Sequence, residues 1–95
     1  MKLFTIDTGY FKLDGGAMFG VVPKSIWHKL NPPDENNMCT WAMRCLLVED
    51  NHRLVLIDTG MGDFVDDIYR KRYQPFGDDT LEKSLQKHGY SPADI

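Results

Sequence analysis

The stretch Arg53-Leu54-Val55-Leu56-Ile57-Asp58-Thr59-Gly60-Met61-Gly62 governs how the rest of the chain is read. Leu54 to Ile57 is an unbroken apolar run of strand length, the pattern of a strand covered on both faces. It ends on a carboxylate, Asp58, and Gly60 lets the backbone turn sharply behind it. A strand that carries an acidic side chain to its tip is the sharpest candidate for chemistry in the sequence. Just upstream, Asp50-Asn51-His52 has the composition of a hairpin turn. Before it, Thr40 to Glu49 gives the strongest strand signal. Cys39, Trp41, Met43, Cys45 and Leu47 fall on one face, and Thr40, Ala42, Arg44, Leu46 and Val48 on the other. Both faces are largely apolar, so this strand is expected inside a sheet, with Arg53 to Asp58 as its return partner.

Working toward the N-terminus, Asp34 to Asn37 is a polar loop, and Asn31-Pro32-Pro33 ends a short helix over Lys24 to Leu30 that Pro23 opens as its first residue. Ala17 to Val22 reads as an apolar loop or short strand, and Asp14-Gly15-Gly16 as a turn. Leu3 to Leu13 reads as a strand with a break near Gly9. Toward the C-terminus, Asp63 is expected to cap a helix running to about Tyr73, stopped by Pro75. Asp66 and Asp67 near its start and Arg70, Lys71 and Arg72 near its end suit the helix dipole. A further helix is expected over Thr80 to His88, with Asp79 and Glu82 as a capping box and Leu81, Ser84, Leu85 and His88 inward. Gly89 supplies a left-handed stop, with Tyr90 folding back on Leu85. Ser91-Pro92 then opens a new helical turn, and the chain reaches Ile95 with no further element. The pattern is that of a fragment: one incomplete domain over residues 1–95, with no second layer for the far face of its sheet.

Composition narrows the function classes. The 95 residues carry 11 basic and 14 acidic side chains, a net charge of -3, which disfavours a nucleic-acid-backbone binder. Arg70-Lys71-Arg72 reads as a solvated helix surface. No signal-peptide or membrane-spanning run is visible, so a cytoplasmic location is expected. Cys39 and Cys45 lie six residues apart on one strand face, about 20 Å, too far for a disulfide. Both are expected as free thiols. His28, His52 and His88 are scattered, and no metal-ligand cluster, nucleophile elbow or phosphate loop is present.

Asp-Thr-Gly occurs twice, at Asp7-Thr8-Gly9 and Asp58-Thr59-Gly60. The repetition invites comparison with a dimeric aspartic protease, whose carboxylates share a proton. The two capped helices after Gly62 do not suit that nearly all-β architecture, so it stays a remote alternative.

A different likeness covers almost the whole chain. Leu54 to Gly62, the order of the preceding segments, and the ending Leu81-x-x-x-Leu85-x-x-His88-Gly89-Tyr90-Ser91-Pro92-Ala93-Asp94-Ile95 resemble the first part of metallo-β-lactamase-superfamily hydrolases, the lactonase-like and organophosphate-hydrolase-like members most of all. The resemblance implies an α+β fold, the N-terminal part of an αββα sandwich with mostly antiparallel strands and flanking helices. It implies an enzyme that cleaves an ester, lactone or phosphoester bond of a small molecule with a zinc-bound hydroxide, two zinc ions being held by a His-x-His-x-Asp-His motif. That motif would lie beyond Ile95, so no metal ligand or catalytic residue is assigned here and the 95 residues alone are expected to be inactive. Asp58, with Gly60, carries over as a carboxylate that orients a metal ligand from behind, with capping of the following turn through its own backbone as the plainer alternative. Met18, Phe19, Trp27 and Phe64 carry over to the substrate entrance, with core packing as the plainer alternative. The competing functional class is a small non-enzymatic α+β module that self-associates through its bare sheet face.

Overall fold

The computed structural model describes residues 1–63 and 66–95. Three antiparallel strands, β1 (Lys2–Asp14), β2 (Met38–Asp50) and β3 (Arg53–Ile57), form one sheet in the order β1-β2-β3. The strongest strand of the sequence is thus the interior one. Its partners are in register so that Ile6 faces Cys45, and Phe4, Leu47 and Leu56 form one row across the sheet. The β2–β3 loop places Asn51 (φ 43°) and His52 (φ 69°) in the left-handed region, as a two-residue hairpin of matching twist requires. The break expected near Gly9 is a shift in the β1–β2 register between Asp7 and Tyr10, with Gly9 at φ 110°. Beyond it β1 is held on its other edge as well, by a backbone bridge from Tyr10 to Phe76.

The helices depart from the sequence reading at their starts. Of residues 17–22, expected as a loop or short strand, 17–19 are helical and only 20–22 form a turn. Asp14 accepts from the Gly16 N–H at 2.7 Å and caps α1 (Gly15–Phe19). Helix α2 (Lys24–Trp27) is shorter than expected, and Pro23 sits at its cap rather than at its first position. Helix α3 (Asp67–Tyr73) starts from Asp66, which takes the Tyr69 N–H, and not from Asp63. Helix α4 (Leu81–Gln86) is capped by the Thr80 hydroxyl on Lys83 N–H, while Asp79 turns instead to Lys87 at 3.6 Å. At α3 and α4 the oxygen that reaches the N3 amide wins over a carboxylate one or more residues further out. The far end of α4 agrees closely with the sequence. The Tyr90 N–H bonds the Leu85 carbonyl, Gly89 N–H bonds Gln86, and Gly89 is left-handed at φ 81°. A 3-10 turn over Pro92–Asp94, with a Ser91–Asp94 capping box, closes the chain.

Ile6, Cys45, Leu47 and Leu85 form the core, with Phe4, Leu54, Leu56, Leu81 and Tyr90 packed around them. Ile6, Leu47 and Leu85 are fully buried, and each such side chain stabilises the fold by roughly 1.5–3 kcal/mol. The opposite face carries the row Leu3, Val48, Val55 and beside it Thr5, Leu46, Ile57. Leu3 and Ile57 are 58% and 53% exposed there. The molecule is a slab of 47 × 30 × 18 Å. Its radius of gyration is 15.9 Å, against about 12 Å for a compact chain of this length. Its accessible surface is 6893 Å², against about 5,600 Å² expected for this mass.

A candidate site at the Asp58 turn

Asp58 comes directly after β3 and takes a left-handed conformation, φ 70°, which aspartate tolerates better than most residues. Its Oδ1 accepts from the Thr59 N–H at 2.6 Å and the Gly60 N–H at 3.1 Å. The carboxylate therefore closes its own turn, the plainer of the two roles that the sequence offers it. Gly60 is also left-handed, φ 73°, and lies so close to β1 that a Cβ would stand 2.6 Å from the Thr8 Oγ1. No side chain larger than hydrogen fits there without movement.

Behind the turn lies Cys45. Burial pushes its thiol above the usual range and the Asp58 charge adds to that, while the Thr8 hydroxyl and Gly60 N–H act the other way. Cys39 is likewise raised, chiefly by burial. Both thiols are buried and unpaired, as the spacing required.

Past the turn, at Met61, Gly62 and Asp63, runs a cleft of about 210 Å³, walled also by Thr8, Met43 and the stacked pair Tyr10–Phe76. An adjoining hollow of about 270 Å³ shares Thr8, Asp63 and Thr80 with it and includes Thr59 and Leu81. Of the turn itself only Thr59 lines the trough, opposite Thr80 and Leu81 at the start of α4; Asp58 and Gly60 line neither hollow. Sequence reasoning does not single out Thr8 or Thr80. Thr8 belongs to the repeated Asp-Thr-Gly string, and that repetition is the one signal that points to it.

The other residues assigned by resemblance gather elsewhere. Trp27 is buried, stacked on Phe19 at 4.7 Å, and Phe19 meets Trp41 at 5.6 Å. Met18 stands 43% exposed on the same short helix. This group sits at the Cys39 end of the sheet, six residues of β2 or about 20 Å from Cys45. None of the three lines the trough. Phe64 lies outside the described residues. His28 turns its Nδ1 to the Lys24 carbonyl, and the His88 ring lies on Phe4. Among the described residues no group of three or more His, Cys, Asp or Glu side chains could hold a metal ion, and no helix is long and apolar enough to cross a membrane.

With this geometry in view, likenesses can be weighed. No protein-family model matches the chain, and no curated protein does. A solved structure does: a probable metal-dependent hydrolase from Staphylococcus aureus, 27% identical, with a TM-score of 0.90. The match covers 99% of this chain and 34% of that one, so the chain spans about a third of its neighbour's length. The α+β arrangement of sheet and helices thus matches part of the fold of a probable metal-dependent hydrolase.

Proposed function

We propose that the chain is part of a zinc-dependent hydrolase of the metallo-β-lactamase superfamily, near its lactonase-like and organophosphate-hydrolase-like members. The observation that carries the reading is the near-complete superposition on a probable metal-dependent hydrolase. It is supported by the Asp58 turn, a carboxylate directly after a strand whose next residue, Thr59, lines an open hollow. The substrate class is a small molecule with an ester, lactone or phosphoester bond. Nucleic acid and membrane are not its partners, and the free thiols suit a reducing compartment such as the cytoplasm. Among the described residues no side-chain group could hold the metal. In this reading two zinc ions are bound by a His-x-His-x-Asp-His motif on the remainder of an αββα sandwich, and the 95 residues alone are inactive. The part played by this chain is orientation: Asp58, with Gly60 letting it approach, braces a ligand supplied from elsewhere.

Asp58→Asn tests this cleanly. Asparagine keeps an Oδ1 to accept from Thr59 and Gly60 and tolerates the left-handed backbone, so the turn survives while the charge is lost. In the whole protein, zinc content or turnover on a lactone and phosphotriester panel should fall roughly 10–100-fold. Unchanged zinc content and rates would leave Asp58 with the turn alone. A whole protein with neither zinc nor hydrolysis would overturn the reading.

The exposed side chains Leu3, Val55 and Ile57 on the far face favour a second reading, a module that self-associates through its sheet face. Sedimentation separates the two: the module forms dimers of the 95-residue chain, whereas the hydrolase covers that face with its own remainder.

A further inference from the structure

The sequence holds Asp-Thr-Gly twice, and the first copy, Asp7-Thr8-Gly9, has no part in the function proposed above. We propose that this first copy is the seat on which the Asp58 turn is held, with Thr8 as its positioning residue.

Four consecutive residues of β1 reach three different neighbours, Ser84, Met43 and Phe76. The Asp7 carbonyl accepts from the buried Ser84 hydroxyl of α4 at 2.6 Å. The Thr8 hydroxyl donates to the Met43 carbonyl of β2 at 2.9 Å. Gly9 lies against the Phe76 carbonyl, where a Cβ would come within 3.1 Å. Tyr10 exchanges backbone bonds with Phe76 at 2.8 and 2.9 Å. A regular strand could not do this, because its backbone groups alternate between two flat edges. The interrupted register between Asp7 and Tyr10 frees them, and bulges of this kind re-aim side chains next to sites.

Thr8 is suited to the position on two counts. Met43 lies opposite the interruption, where strand pairing lapses, and the Thr8 hydroxyl meets its carbonyl. The same side chain forms the floor under Gly60, whose hypothetical Cβ would meet Thr8 Oγ1, Cβ and Cγ2 at 2.6, 3.1 and 3.5 Å. The turn is thus clamped between its internal bonds to Asp58 and the β-branched floor beneath, and Cys45 is sealed under it. Since Asp7 and Tyr10 also tie α4 and Phe76, the seat fixes the turn relative to both far walls of the trough. The functional weight of Thr8 rests on the reading of Asp58 as a bracing carboxylate; its geometric role does not.

The two buried thiols give a test that needs neither metal nor turnover. Cys45 lies under the turn, and Cys39 lies six residues away along β2 as an internal reference. In the whole protein, Thr8→Val removes the donor while keeping the branched shape. Compared at equal thiolate fraction, since the Thr8 hydroxyl also lowers the Cys45 pKa, alkylation of Cys45, read by peptide mass spectrometry, should speed by about tenfold over Cys39, the loss of one hydrogen bond's worth of local closure. Thr8→Ser restores the hydroxyl and should return Cys45 to within about twofold of the parent rate. Cys45 unmoved in Thr8→Val, Cys39 and Cys45 accelerating together, or no rescue by serine would each overturn the seat. Loss of the hydrolase reading through Asp58→Asn would leave these labelling rates as expected.

Discussion

The two Asp-Thr-Gly strings share three residues and a glycine of positive φ, and differ in the rest of their geometry. In Asp58-Thr59-Gly60 the triplet ends a strand, and the aspartate folds its carboxylate onto the next two amides. In Asp7-Thr8-Gly9 the strand carries on, and the aspartate points outward to the Arg44 Nε at 3.2 Å, a pair more than half exposed on both sides. The residues immediately C-terminal to each triplet account for the difference. Tyr10-Phe11-Lys12-Leu13 resumes strand alternation and pairs with Trp41 and its neighbours, so the irregularity is absorbed as a bulge. Met61-Gly62 offers no such continuation, and Gly62 is itself left-handed. A tripeptide sets local options, and its neighbours choose among them.

The contrast can be broken most severely at its glycines. Gly9 sits at φ 110°, well outside the region a Cβ tolerates, with the Phe76 carbonyl in the way. Gly9→Ala should cost about 3 kcal/mol in urea unfolding. Gly60→Ala, at φ 73°, meets the Thr8 side chain and should cost about 2 kcal/mol. Adding Thr8→Ala should recover about 0.5–1 kcal/mol of the Gly60→Ala loss and none of the Gly9→Ala loss. Equal coupling to both glycines would mean Thr8 acts on the bulge alone. The thiol under the second triplet sharpens the comparison through pH. Because burial and the Asp58 charge raise its folded pKa, Cys45 should stay mostly protonated at pH 8.5, where a free thiol is about half thiolate. Its alkylation in the native state should keep rising with pH past the point where a model thiol levels off; a plateau at the model thiol's pKa would contradict the sealed pocket. The smallest effect belongs to the first aspartate. Asp7→Ala should change stability by about 0.5 kcal/mol or less, since its partner Arg44 is solvated.

Much of the fold is legible in the sequence because it is local. The interior strand announces itself by apolar residues on both faces, the hairpin by Asn51, the α4 ending by Gly89 and Tyr90. Helix α1 does not, since Gly15 and Gly16 are poor helix formers and the segment is fixed by the Asp14 cap and by packing against Trp27. The misplaced caps at Asp63 and Asp79 show a related limit. Acidic residues cluster at both helix starts, and sequence spacing does not say which oxygen reaches the amide. At the candidate site, Asp58 and Gly60 are legible from the strand-then-turn pattern. Thr8 is not, because its contact with Gly60 spans some fifty residues of chain and depends on the β1–β2 register.

Gly15 carries a consequence for how this sequence can drift. A Cβ placed there would stand 2.2 Å from the Trp27 ring, so the indole occupies the space that any side chain at position 15 would need. Neither residue can change freely alone: a larger residue at 15 displaces the ring that Phe19 stacks upon, and a smaller one at 27 leaves a hole above the glycine. Across diverging descendants of this chain, positions 15 and 27 should therefore substitute as a pair, glycine persisting wherever tryptophan does.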